Sequence, residues 1–165
     1  MAVLPGQILT DTRANAISPE VRVRAYATVN TACANNVLTL IPLGGESYDT
    51  ASMHSTGVNP SRVIATVAGG YDLKVQGSFA TNATGRRVIT IRKNAGGSSG
   101  SGVQVAQLSI AASPTSGTGV NFTTDLQLAA GDQLEIFALQ TSGGGLDVVS
   151  GDDSTWMSLR LVDPS

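Results

Sequence analysis

GGYDLKVQGSFATNATGRRVITIRKN, from Gly69 to Asn94, is the stretch whose reading decides the fold class. Between Tyr71 and Phe79 the residues alternate, with Tyr71, Leu73, Val75 and Phe79 on one face and Asp72, Lys74, Gln76 and Ser78 on the other. A period of two marks a strand with one side buried, because successive side chains of extended backbone point to opposite faces. Thr81-Asn82-Ala83-Thr84-Gly85 breaks the rhythm with residues that tolerate turn backbone. A second strand follows from Arg86 to Lys93 with Ile89 and Ile91 inward, and the two read together as a long antiparallel hairpin.

The same rhythm recurs on both sides of this stretch. Val21, Val23, Ala25, Ala27 and Val29 alternate with Arg22, Arg24, Tyr26 and Thr28. Val37 to Leu43 is a short apolar run, and Pro42, which cannot donate to a ladder, places it at a strand end or edge. Arg62 to Val67 and Val103 to Ile110 are further short strands. Val120, Phe122, Thr124, Leu126 and Leu128 give the cleanest alternation, followed by Leu134, Ile136 and Ala138, and finally Met157, Leu159 and Leu161. Between them lie the polar, irregular Glu46 to Pro60, a flexible Gly/Ser-rich tip at Ala95 to Gly102, and a loop at Gly143-Gly144-Gly145. No amphipathic helix is legible. About eight to ten short strands at spacings of about 8–12 residues predict an all-β protein, an antiparallel β-sandwich of the jelly-roll kind. The domain is expected over residues 21–165. Residues 1–20 read as an N-terminal arm, too short and polar to bury much alone, which either orders against a partner or frays.

A chain of 165 residues fits one domain and can bury about 70 % of its unfolded surface without disulfides or metals. Cys33 is the only cysteine, so no disulfide framework exists. A net charge of −2 argues against a nucleic-acid partner held by phosphate neutralisation. The charge is uneven: Arg62, Lys74, Arg86, Arg87, Arg92 and Lys93 make the middle basic, while Asp125, Asp132, Glu135, Asp147, Asp152, Asp153 and Asp163 make the C-terminal part acidic. Two solvated faces would account for this; so would pairing between neighbouring strands or subunits. Neither a signal-peptide pattern at Met1 nor an apolar run near the ~20 residues of a membrane span is present, so synthesis in a cytoplasm without membrane insertion is expected.

Catalytic patterns are missing. His54, the sole histidine, lies in a polar loop, and no G-x-S-x-G elbow exists to provide a nucleophile. Cys33 and His54 are too few ligands for a zinc site. Asp147, Asp152 and Asp153 offer oxygens to calcium, but without the spacing of an EF-hand, and read as a solvated acidic turn. The sequence AGGSSGSG lacks the Lys-Ser/Thr ending of a phosphate loop. A non-enzymatic protein without a cofactor is expected. What stands out instead is apolar surplus: Phe137 and Leu139 fall on the supposedly exposed face of their strand, and Trp156 lies opposite Met157. Each such side chain left in water forgoes about 1.5–3 kcal/mol, so Phe137, Leu139 and Trp156 are the candidate contacts between identical subunits, the alternative being a strand twisted enough to bury them within one.

The order of motifs also resembles a known superfamily. Gly69 to Tyr71, Arg87 to Asn94, Leu128 to Ile136 and Ser154 to Met157 are similar to successive strand motifs of the tumour-necrosis-factor and complement globular heads, in particular their bacteriophage and bacterial members. The likeness covers about Val21 to Val162. It implies a jelly roll of about ten strands assembled as a homotrimer around a three-fold axis. The opening MAVLPGQILTDTRANAI resembles the start of phage tail-fibre and minor tail proteins through Pro5, Gly6, Ile8, Leu9, Thr10 and Asn15, with Asp11 where Ala is more usual. That resemblance implies a virion protein, made in the host cytoplasm, whose arm attaches it through Pro5, Gly6, Ile8, Leu9 and Thr10 to other virion proteins. The expected function is a trimeric knob of the tail tip or fibre that binds a host surface glycan or protein through loops such as 44–60, 95–102 and 143–153. Two alternatives stay open: a trimeric decoration protein cementing a capsid at its three-fold positions, and a soluble bacterial glycan-binding module.

Overall fold

A computed structural model describes residues 20–165, and the described residues form twelve strands and no helix. The larger sheet has seven strands in the order β2 (Thr31–Cys33), β11 (Leu146–Val149), β6 (Gly69–Phe79), β12 (Trp156–Pro164), β1 (Arg22–Tyr26) and β4 (Gly45–Asp49), with β9 (Thr118–Leu128) on the other side of β6. The smaller runs β3 (Thr39–Leu40), β10 (Gln133–Gln140), β7 (Arg86–Lys93) and β8 (Val103–Ala111), with β5 (Arg62–Ile64) also against β10. All strand pairings are antiparallel.

The two sheets face each other, and the alternating residues supply the core. Tyr71, Leu73, Val75 and Phe79 from β6, with Val23, Met157 and Leu159 beside them, meet Ile89, Ile91, Leu134 and Ile136 from the smaller sheet. Each large side chain so buried contributes about 1.5–3 kcal/mol. The phenol of Tyr71 stays satisfied inside this core by donating to the Val67 carbonyl at 2.7 Å. At Gly77, also on the inward row, the sheets approach so closely that a Cβ would lie 2.4 Å from Ile89 Cδ1.

β6 and β7 do not form the expected hairpin. β6 pairs with β9, β12 and β11, whereas β7 pairs with β10 and β8 in the opposite sheet. Alternation is identical in either arrangement, since both strands turn their apolar row toward the same core. What decides between them is competition for partners: β9 matches β6 over all eleven residues from Gly69 to Phe79, and β12 takes the other side of Gly69–Gln76.

The expected strand from Val21 to Val29 ends at Tyr26, and a turn leads into β2. β4 and β11 lie in stretches that read as loops. Two of the basic side chains in the middle of the chain pair with acidic residues on or just before β10. Arg62 Nε lies 3.2 Å from Glu135 Oε1 and Lys93 Nζ 3.1 Å from Asp132 Oδ2. The Glu135 carboxylate is fully buried; it also accepts from Ser61 Oγ at 3.1 Å and from the Gly97 backbone N–H at 2.9 Å. The last bond, with Arg92 donating to the carbonyls of Ser101 and Gly102, ties down the Gly/Ser-rich loop expected to be flexible. Arg87 points inward and is wholly buried near the Phe79 ring, donating to the carbonyls of Asn82, Thr84 and Arg86; burial lowers its pKa from the usual range.

Candidate functional site

The outward face of the seven-stranded sheet carries the most developed surface feature. Cross-strand register assembles it from four strands distant in sequence. Tyr48 of β4, Arg24 of β1, Ser158 of β12 and Lys74 of β6 stand in one row; Arg22, Arg160 and Asp72 form the next. Ser158, the smallest of these, lies between longer neighbours, and a depression of about 280 Å³ opens there. Its walls are stiffened by stacking. The Arg24 guanidinium carbon lies 4.2 Å from the centre of the Trp156 ring, and that of Arg22 lies 4.8 Å from the Tyr48 ring. Both distances are within the range of cation–π attraction.

The polar contacts leave the cations incompletely matched. Glu20 is shared, with its oxygens 3.2 Å from Arg22 Nε and 2.8 Å from Arg160 Nε. Arg24 Nη2 donates to the Asp152 carbonyl at 2.5 Å, yet its buried Nε has no acceptor. Lys74 has no salt bridge among the described residues. Past the Trp156–Lys74 ridge a second depression of about 430 Å³ is lined by Gln76, Asn121, Phe122 and Thr123. One half of the groove is therefore cationic and the other offers amides and a hydroxyl.

No family model and no curated protein matches the sequence. Solved structures do. The Eiger tumour necrosis factor of S. frugiperda superposes with a TM-score of 0.68 at 13 % identity, covering 89 % of this chain and 95 % of that one. Murine APRIL gives 0.67 at 9 % identity, over 87 % and 99 %. The globular domain of zebrafish complement 1qA gives 0.59 at 11 % identity, over 89 % and 99 %. The chain has a tumour-necrosis-factor-like jelly-roll fold. At these identities the likeness is one of fold.

Within this TNF-like jelly roll the three apolar residues expected at a subunit contact do not form one patch. Phe137, expected on the outward face of its strand at a subunit contact, is only 1 % exposed in the single protomer. It faces away from the core, between its cross-strand neighbours Leu40 and Thr90, beside the loop that Glu135 holds. Leu139 is half-buried on the same strand, and Trp156 is half-buried on the other sheet under Arg24. The apolar surplus lies elsewhere. At the edge where β8 and β9 meet across the sandwich, Val105, Leu108, Ile110, Phe122 and Leu126 pack on the core but are only partly covered, and Val103 is 62 % exposed.

The remaining candidates are placed as follows. His54 Nδ1 lies 2.8 Å from Glu46 Oε1 and its Nε2 3.0 Å from the Pro60 carbonyl, so the ring anchors its loop. Cys33 is buried on β2, and burial pushes its thiol pKa up. Among the described residues no three or more His, Cys, Asp or Glu come together as metal ligands, Asp147, Asp152 and Asp153 included. Pro5, Gly6, Ile8, Leu9 and Thr10 lie outside the described residues.

The cationic groove was invisible in the sequence, where Arg22, Arg24, Lys74 and Arg160 read only as the solvated alternates of core strands. The one available signal was that three core strands carry cations on their polar rows.

Proposed function

We propose that this chain is a non-enzymatic virion protein of a tailed bacteriophage, a homotrimeric knob of the tail tip or fibre that meets the host surface. The partly covered β8–β9 edge is the observation that carries the oligomeric part. A sandwich that buries Tyr71, Phe79 and Ile89 completely leaves Leu108, Ile110 and Phe122 only partly covered, and a second copy of the edge would supply the missing cover. The resemblance of Pro5, Gly6, Ile8, Leu9 and Thr10 to phage tail openings supports attachment through residues 1–20. The outward groove on the larger sheet supports surface binding.

Locating the chain on purified particles tests the reading. With an antibody to a C-terminal tag, gold label at the tail tip is the expected result. Label spread over the capsid would replace it with a decoration role, and complete absence from particles would leave a soluble glycan-binding module.

A further inference from the structure

We propose that the groove on the outward face of the seven-stranded sheet binds a carboxylated oligosaccharide. Arg24, Lys74 and Arg160 take the carboxylate, and the sugar rings cross the Trp156–Lys74 ridge toward Asn121 and Thr123. The inference deepens the reading of the chain as a surface-binding knob and rests on it for its biological meaning.

The charge is the first argument. Four cations, Arg22, Arg24, Lys74 and Arg160, line the first depression against two carboxylates, Glu20 and Asp72, in a protein whose net charge is −2. Arg22 and Arg160 stand directly opposite across β1 and β12, an arrangement that repels unless an anion lies between them. Glu20 satisfies part of that need with one carboxylate for two guanidinium groups. Arg24 Nε and the Lys74 ammonium remain without an anionic partner among the described residues.

The second argument is preorganisation. Trp156 and Tyr48 hold the guanidinium groups of Arg24 and Arg22 by stacking, so little side-chain freedom is left to lose when a ligand arrives. The floor at Ser158 gives depth, and its hydroxyl lies 3.3 Å from that of Tyr48.

The shape and lining of the groove favour a sugar over other anions. The first depression, about 280 Å³, lies near the low end of the ~300–1,000 Å³ of small-molecule sites, suited to one acidic ring. Its continuation past Trp156 offers Asn121, Thr123 and Gln76, side chains that match hydroxyl groups rather than further charge. A nucleic-acid strand would carry its next phosphates past Asp72 and Asp125, which face each other across β6 and β9.

Trp156 is the only tryptophan, so its fluorescence reports from the site itself. The full-length protein is titrated with a glucuronate–N-acetylgalactosamine disaccharide, with lactose and with inorganic phosphate, and each titration is repeated by calorimetry. Saturable binding of the acidic disaccharide alone is expected, weakened about tenfold in Lys74→Gln and several-fold in Asn121→Ala. Equal binding of lactose would overturn the role of the cations, and phosphate binding as tightly as the disaccharide would reduce the groove to a simple ion site. Absence of heat and of fluorescence change would also overturn the proposal. Acrylamide quenching then tells whether a second copy covers Trp156. A chain found on particles that binds no acidic sugar loses this inference and keeps the knob; one that binds the sugar but is absent from particles does the reverse.

Discussion

Gly77 on β6 faces Ile89 on β7 across the sandwich, and a Cβ at Gly77 would lie 2.4 Å from Ile89 Cδ1 and 2.8 Å from Cγ1. The sheets touch there through a missing side chain. Gly77→Val is therefore expected to push the sheets apart and lower stability by roughly 2 kcal/mol or more, in the manner of overpacked cores. Urea unfolding measures it. A double variant with Ile89→Ala should recover part of the loss, and no recovery would mean that the contact is not the cause.

Arg87 is a second internal test. Its guanidinium closes the end of the core by donating to the backbone carbonyls of Asn82 and Thr84 in the turn before β7 and of Arg86 at its start, with no carboxylate among these partners. Arg87→Ala removes these donors and should cost about 2–4 kcal/mol, more than deletion of a surface arginine, which is usually worth under about 1 kcal/mol. Comparison with Arg86→Ala, whose side chain bonds Ser109 on the exposed side, supplies the control.

Asp132 gives a pH dependence. The Asn94 amide, then the Ala129 backbone N–H and the Lys93 ammonium, hold its carboxyl below the usual carboxylate range. A carboxyl whose folded pKa is depressed contributes stability that is present above its unfolded value of ~3.9 and lost as pH falls through the folded value. The difference in urea midpoint between the natural chain and Asp132→Asn is expected to be largest near neutrality and to shrink below about pH 4. A difference that stays constant into strong acid would rule this out.

How far these features were legible in the sequence follows from what a period of two can encode. Tyr71, Leu73, Val75 and Phe79 announced a buried face, and that face is where the core lies. The same pattern could not say that Arg86–Lys93 joins the opposite sheet, because inward is inward from either side. β4 escaped notice since Glu46 and Asp49 spend their carboxylates on His54, leaving no apolar alternation to read. Phe137 misled for a related reason: an outward row counts as solvent in one dimension, whereas a loop tied to Glu135 lies beside it in three. The groove needed four strands brought into register, which sequence order hides.

Light scattering should return about three times 16.8 kDa. Leu108→Gln, at the partly covered edge, should shift the mass toward the protomer at concentrations where the natural chain stays assembled, while circular dichroism keeps its β signal. A natural chain that runs as a monomer would remove the oligomeric reading.

Removal of residues 2–18 should leave the assembled jelly roll intact and abolish its incorporation into particles, read by mass spectrometry of purified virions. Continued incorporation would refute anchoring through Pro5, Gly6, Ile8, Leu9 and Thr10.

The half-dressed edge of β8 and β9 also bears on the order of assembly. If copies associate through it as proposed, a newly made copy closes most of its interior alone but emerges with a sticky rim, so its last step of maturation is a meeting of equals whose yield depends on how many siblings are nearby. Scarce synthesis would then strand copies at that stage, and abundant synthesis would carry them past it.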